Sequence, residues 1–396
     1  MRAQYERAVA QTWRHSDAIR GLAEPLELVR YACLAASSHN TQPWRFELGR
    51  NSITTLPDFS RRCPAVDPDD HHLYASLGCA AENLVIAAQA AGRSAVVSYE
   101  PASTGIRIEL QESAARESPL FRALFSRQCT RTVYDGKPLS PHELPLLESV
   151  TVGDGVSVML LTTDQQKCGV IEFVAQGNNA QFADAAWAAE LQSWIRFDAR
   201  TAIETGDGLY GPVMGNPDVP PWLGRLFMKI GLSAKAQNRK DARNISSSSA
   251  IAVIHSEKSD PQHWTEAGRC YERLALQAAA LGLRTAFINQ PVEVSHLRSQ
   301  FAQYLGIGNR RPDLVIRIGH APLGPKSLRR PPTDVVVLDR SAAWRLAASA
   351  ALDTKFAREC VARLRGTVNA RDANAIAMLC TNDIEWNDPA ADGLYG

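Results

Sequence analysis

Residues 37–44 read Ser-Ser-His-Asn-Thr-Gln-Pro-Trp, a run of hydrogen-bonding side chains closed by a proline and a large aromatic. Such a run can offer donors and acceptors to a polar ligand, or it can satisfy its own backbone as an Asx or Ser/Thr turn. The residue types leave both readings open, with Trp44 in the core either way. A second group, Arg127-Gln128-Cys129-Thr130-Arg131, sets two guanidiniums four positions apart around a small polar centre. If this segment opens a helix or a turn, the pair can converge on a phosphate, which guanidinium grips bidentately; otherwise it is a solvated basic face. Arg329 and Arg330 precede two prolines. The prolines make an extended arm, either reaching across a neighbour or trailing as a solvated tail.

Two other patterns point to no chemistry. Gly206, Gly208 and Gly211 spell a literal GxGxxG, "GDGLYG". A dinucleotide fingerprint needs a strand before it and a helix after it, whereas here helical "RTAIET" precedes and prolines follow. "DDHH" at 69–72 supplies metal-ligand types, but adjacent histidines in a regular element do not converge on one ion. It reads as a solvated helix start, with Asp69 and Asp70 favouring the positive end of the helix. No metal site is expected.

These groups need elements to position them. "PLELVRYACLAA" (25–36) has helical spacing and runs into the octapeptide, and "WRFELG" and "SITTLPD" alternate as a short hairpin. "DPDDHHLYASLGCAAENLVIAAQAAG" is a long helix of small and apolar residues that Gly92 stops. Its segment 78–92 matches 268–282, "GRCYERLALQAAALG", at six of fifteen positions, which reads as a duplication with a period near 190 residues, the alternative being two unrelated alanine-rich core helices. "GVSVMLLT", "SSSSAIAVIHS" and "DLVIRIGHA" read as strands, 166–203 as a long helical stretch, and 205–221, rich in Gly and Pro, as loop. The mixture points to α+β layers.

Composition sets the bounds. The 396 residues are 45% hydrophobic and 21% charged with a net charge of +1, so no single-signed field draws the chain to nucleic acid or a membrane. Any anion must be met locally. Eight cysteines without a CxxC suit a reducing compartment, and no leader or spanning segment is visible, so a cytoplasmic protein is expected.

Taken together, "ASSHNTQPWRF", the Arg127–Arg131 segment and the Arg329–Arg330 arm resemble the nitroreductase superfamily of FMN-binding oxidoreductases, over about residues 20–338. Ordinary members are intertwined homodimers in which one subunit contributes the arginines and the other the Ser-Ser-x-Asn segment. This chain resembles the tandem, Acg-type branch with both halves fused. The resemblance implies a pseudo-dimeric α+β chain of antiparallel-rich sheets flanked by helices, divided as 1–118, 119–340 and a helical appendage at 341–396. The arginine segment departs from the family pattern at Cys129, where serine is usual. The first half has no arginine segment and the second no SSxNxQ, so one FMN site per chain is expected. Residues 355–396 resemble the opening helices of a SnoaL-like domain, of the nuclear-transport-factor-2 type.

The resemblance further implies roles. Arg127, Arg131, Arg329 and Arg330 would hold the FMN phosphate, with Gln128 and Cys129 between them. Ser37, Ser38, Asn40 and Gln42 would serve the ribityl chain and ring edge, and Asn289 or Gln290 would lie beside the ring. The expected partners are NAD(P)H and a small electron acceptor, with no side chain needed as a general acid. Two alternatives stand beside turnover: a protein that sequesters flavin beneath a lid, for which 205–221 is the candidate, and a degenerate paralogue that binds nothing.

Overall fold

The computed structural model describes residues 1–15, 25–150, 153–231 and 233–337. The appendage expected at 341–396 lies outside the described residues. Strands β1 (Trp44–Leu48), β2 (Ser52–Pro57), β3 (Arg93–Glu100) and β4 (Gly105–Glu112) come first along the chain. They are followed by β5 (Val156–Leu161), β6 (Ile195–Arg196), β7 (Leu209–Tyr210), β8 (Ala250–Ser256), β9 (Arg284–Phe287), β10 (Arg311–Gly319) and β11 (Val336–Val337). Among the described residues they make a five-stranded sheet ordered β11-β1-β2-β4-β3, a four-stranded sheet ordered β5-β8-β10-β9, and the β6-β7 pair. The result is a mixed α+β fold of two similar sheet-and-helix modules.

The modules meet along the duplicated helices, His71–Ala90 and Pro261–Ala280. Every residue of the first helix except Gln89 is buried, which explains why it is apolar or small on all sides. The contact is self-complementary. A Cβ on Gly78 would lie 1.9 Å from the Thr265 carbonyl oxygen, and one on Gly268 would lie 1.9 Å from that of Ala75. Adding the 190-residue offset to Ala75 and Gly78 gives Thr265 and Gly268, so the exchange is that of a two-fold interface folded into one chain. Glycine is required at both crossings because nothing larger lets the backbones touch.

The arm of residues 320–335 has little regular structure until it delivers β11 parallel to β1, pairing Val336 with Phe46. The end of this arm thus completes the sheet begun by the octapeptide's own strand. The helical stretch expected over 166–203 is broken twice. Asp184 accepts from the Ala186 and Trp187 backbone N–H groups at 2.8 and 3.4 Å, ending one helix at Ala183 and capping the next. Ile195–Arg196 then turns extended to pair with β7. Alanine-rich periodicity hides such breaks, because a capping aspartate also fits a helix surface.

The expectation of a solvated "DDHH" is also corrected. His71 and His72 are buried, Asp69 pairs with Arg298 and Arg311, and Asp70 pairs with Arg62. Asp67 is the acid that takes the helix-start N–H groups, those of His72 and Leu73, both at 3.0 Å. Asp69 is neutralised by arginines distant in sequence, a pairing that local pattern does not reveal.

Candidate functional site

The octapeptide follows helix Pro25–Ala32 and contains a short 3-10 turn, Ser38–Asn40. His39, Asn40 and Gln42 all adopt left-handed backbone, with φ of 47°, 54° and 54°. Such strain in non-glycine residues persists only where surroundings over-determine it. Here the surroundings are the GDG turn and the C-terminal arm. Asn40 donates to the Gly208 and Leu328 carbonyls at 3.1 and 3.2 Å, and its own carbonyl accepts from Gly208 N–H at 3.1 Å. Gln42 donates to the Gly206 carbonyl at 2.9 Å and accepts from the Arg330 N–H at 2.8 Å. Gly206 ends a helix and Gly208 leads into β7, with no helix start for a pyrophosphate. The GxGxxG is therefore the octapeptide's clamp.

Residues 127–131 form neither helix nor turn. They run extended, with Cys129 bridged to Thr285 and Thr130 N–H donating to the Thr285 carbonyl at 2.9 Å. In extended chain the period is two residues, so positions 127, 129 and 131 share a face. Buried Arg317 holds the segment in place. It donates to the Thr130 and Thr132 carbonyls at 3.0 and 2.7 Å and to the Asn244 carbonyl at 3.2 Å, with its guanidinium 3.9 Å from the Tyr134 ring centroid.

Seven expected residues converge on one narrow pocket of about 60 Å³: Ser37, Asn40, Arg127, Gln128, Cys129, Arg131 and Arg329. Trp13, Gly208, Val213, Phe287 and Ser327 also line it. It adjoins a cavity of about 680 Å³ through shared Cys129, Arg131, Val213 and Pro325. Ser38, Gln42, Asn289, Gln290 and Arg330 are not among the lining residues. Gln42 and Arg330 are spent on the clamp just described. Asn289 lies against His72 and accepts from the Val315 N–H at 2.9 Å, and Gln290 donates to Asn178 at 3.2 Å.

Asn289 thus belongs to a separate buried cluster of His71, His72, Asp67 and Asp313. Asp67, His71 and His72 bring ligand-type atoms within 4.8 Å of one another, so the adjacent histidines do converge. Hydrogen bonding accounts for the grouping. Asp67 accepts two backbone N–H groups and lies 3.3 Å from His72 Nδ1, and His71 Nε2 lies 3.0 Å from Asp313.

Electrostatics distinguishes the three arginines of the pocket. Arg127 is buried, pairs with Glu272 at 2.9 Å and donates to the Leu34 carbonyl at 2.7 Å. Burial is the largest single influence and works against its charge, but Glu272 together with Tyr271, Cys79 and Cys129 more than offsets it and holds the guanidinium above its ordinary value. Among the described residues, Arg329 has no carboxylate that close. Burial, then the charge of Arg127, pull it down to about 9, and its Nε has no hydrogen-bond partner. Gln128 Oε1 is likewise buried and unpartnered. Arg131 makes no ion pair among the described residues. A pocket with excess cation, an orphaned guanidinium N–H and a nearby Ser37 hydroxyl suits a bound anion. The 60 Å³ space matches a phosphate-sized group, and the larger cavity falls in the range of cofactor sites.

The residues that sequence reasoning missed are Trp13, Val213 and Phe287, for which the sequence carries no local signal, and the basic wall of the large cavity. That wall comprises Arg239, Lys240 and Arg243 on helix Ala234–Ser246. Its one-sided basic spacing is visible in "NRKDARN".

No family model matches the chain. The putative NAD(P)H nitroreductase Rv3131 of Mycobacterium tuberculosis H37Rv is 28% identical over 333 residues, covering 79% of this chain and 89% of its own. Its CDC 1551 counterpart, MT3217, gives the same figures. Among solved structures, a Bacteroides fragilis nitroreductase with bound FMN is 13% identical, with a TM-score of 0.34, covering 54% of this chain and 95% of its own. A Desulfitobacterium hafniense nitroreductase with bound FMN is 12% identical, with a TM-score of 0.34, covering 56% and 98%. The likeness to the mycobacterial relatives runs over most of both chains.

Proposed function

We propose that the chain is an FMN-dependent oxidoreductase of nitroreductase type, drawing electrons from NAD(P)H and delivering them to a small acceptor. The observation that carries this reading is the convergence of Ser37 and Asn40 with Arg127–Arg131 and Arg329 on one anion-suited pocket opening into a larger cavity. The mycobacterial relatives named as NAD(P)H nitroreductases support the same class.

Arg131 and Arg329 would hold the phosphate, since both carry charge that no close carboxylate answers. Arg127 would act mainly by position, keeping Glu272 neutralised and the Leu34 carbonyl fixed. Ser37 and Asn40 would meet the ribityl chain, while Gln42 and Arg330 lock the strained loop that presents them. Arg317 would hold the extended segment 130–132 against Asn244. Bound there, the flavin supplies two-electron chemistry between a reduced nicotinamide and an acceptor. The division 1–118, 119–340 and 341–396, the tandem Acg-type assignment and a single flavin per chain belong to this proposal.

Turnover is favoured over sequestration by the region read as a lid. The Gly206–Gly208 backbone is clamped to Asn40 and Gln42, which makes it a fixed wall, and the 680 Å³ cavity leaves room for a second reactant. The test is spectroscopic. The purified protein is expected to carry a flavin absorbance band that bleaches on anaerobic addition of NADH or NADPH. A flavin that binds but stays oxidised would sink the enzymatic reading, and no flavin binding at all would sink both.

A further inference from the structure

The large cavity carries more positive charge than a flavin phosphate needs. Arg131 sits at its junction with the narrow pocket, and Arg239, Lys240 and Arg243 line the wall beyond. Among the described residues no aspartate or glutamate lines the cavity. Asp241, which interrupts the basic run, is buried and engaged by Gln237 and Asn178, each at 2.9 Å, so it does not answer these charges. Among the described residues none of the four cations has an ion-pair partner. Arg239 with Arg243, at i and i+4, and Lys240 with Arg243, at i and i+3, are same-face neighbours on one helix, an arrangement that repels when no anion is present. Such an uncompensated cluster in a cavity of cofactor size suits a polyanionic ligand.

We propose that Arg239, Lys240 and Arg243 recognise the 2′-phosphate of NADPH, making the phosphorylated dinucleotide the preferred hydride donor over NADH. The inference rests on the reading that a flavin seats its phosphate in the adjoining pocket, since that fixes where a hydride donor must place its nicotinamide. The two donors differ only by the 2′-phosphate, a further charge of about −1.5 to −2 at neutral pH. A wall of three cations discriminates on that difference. An anionic pyrophosphate common to both donors would not call for so many.

The experiment reads binding and does not depend on turnover. Affinities of NADP+ and NAD+ are measured by calorimetry on the flavin-loaded protein, whose absorbance band reports separately whether flavin is present. Should the band be absent, the flavin reading fails, and the same titration on the flavin-free protein still tests the wall. NADP+ is expected to bind about tenfold tighter or more. R239Q and R243Q should bring the ratio of affinities toward parity, and K240Q should reduce it less. The preference should also shrink as salt rises. All three side chains are exposed, so these variants are expected to fold. Equal affinity for the two dinucleotides in the unaltered protein, or a ratio that R239Q and R243Q leave unmoved, would overturn the proposal. FMN affinity is measured on the same variants. If it falls as NADP+ affinity does, the cluster serves the flavin phosphate and the assignment is wrong.

Discussion

At the scale of single residues, the arginines of the pocket are not equivalent, and substitutions should separate them. Arg131→Ala or Arg329→Ala is expected to weaken FMN binding by about 1.5–3 kcal/mol, on the order of ten- to a hundredfold, with little change in melting temperature. Arg127→Ala should instead lower stability by about 3–5 kcal/mol, because it strands Glu272 as a buried charge. Flavin fluorescence titration and thermal unfolding read the two effects independently. A pH dependence follows from Arg329. Its guanidinium is depressed to about 9, so it is charged and ready for an anion below that value and loses its proton above it. FMN affinity should be level between about pH 7 and 8 and fall by up to about tenfold per pH unit above about 9. A flat profile to pH 10 would show that Arg329 does not lose its proton in that range, and the Arg329→Ala titration then decides alone whether it meets the phosphate. The candidate site was legible in the sequence as residue types, two arginines and a polar octapeptide. What was not legible is which arginine is already paired. Glu272 stands in "YERLALQ", an ordinary amphipathic stretch, and nothing local marks it as a buried anion facing Arg127.

At the scale of elements, the octapeptide is a loop that other elements hold in a costly shape. Gln42→Leu removes the acceptor for Arg330 N–H and the donor to the Gly206 carbonyl, leaving two backbone groups unpaired near a buried side chain. A loss of about 1–3 kcal/mol per unpaired buried group is expected, together with weaker FMN binding as the strained turn relaxes. Unchanged stability would mean that water replaces both partners. Helix–helix contact sets the strictest limit. Gly78→Ala and Gly268→Ala each drive a Cβ into a carbonyl oxygen across the interface, so each should cost about 3 kcal/mol or more, by similar amounts at the two related crossings. Unfolding in urea checks both. Most of these elements could be read from the sequence: the octapeptide hairpin, the repeat helices, β5, β8 and β10 all follow hydrophobic period. The breaks at Asp184 and Ile195 could not, since one depends on a cap that resembles a helix residue and the other on pairing with β7. The segment 127–131 was legible as a candidate site and not as extended chain, because its partner Thr285 is remote.

At the scale of the whole molecule, a net charge of +1 conceals a concentrated cationic cavity wall, as a balanced composition permits. One flavin per chain is expected when absorbance is set against protein concentration; two would mean that a second pocket has survived the duplication. The paired glycine crossings carry a different consequence. In an assembly of two separate subunits that contact would form only above a threshold concentration, and every substitution would appear twice, once on each side of the axis. Fusion removes both constraints. The related positions Glu82 and Glu272 already differ, one holding Arg269 and Arg273 and the other Arg127. Each side of the axis is inherited on its own, so a change that ruins one pocket need not touch the other, and asymmetry costs the molecule nothing in assembly.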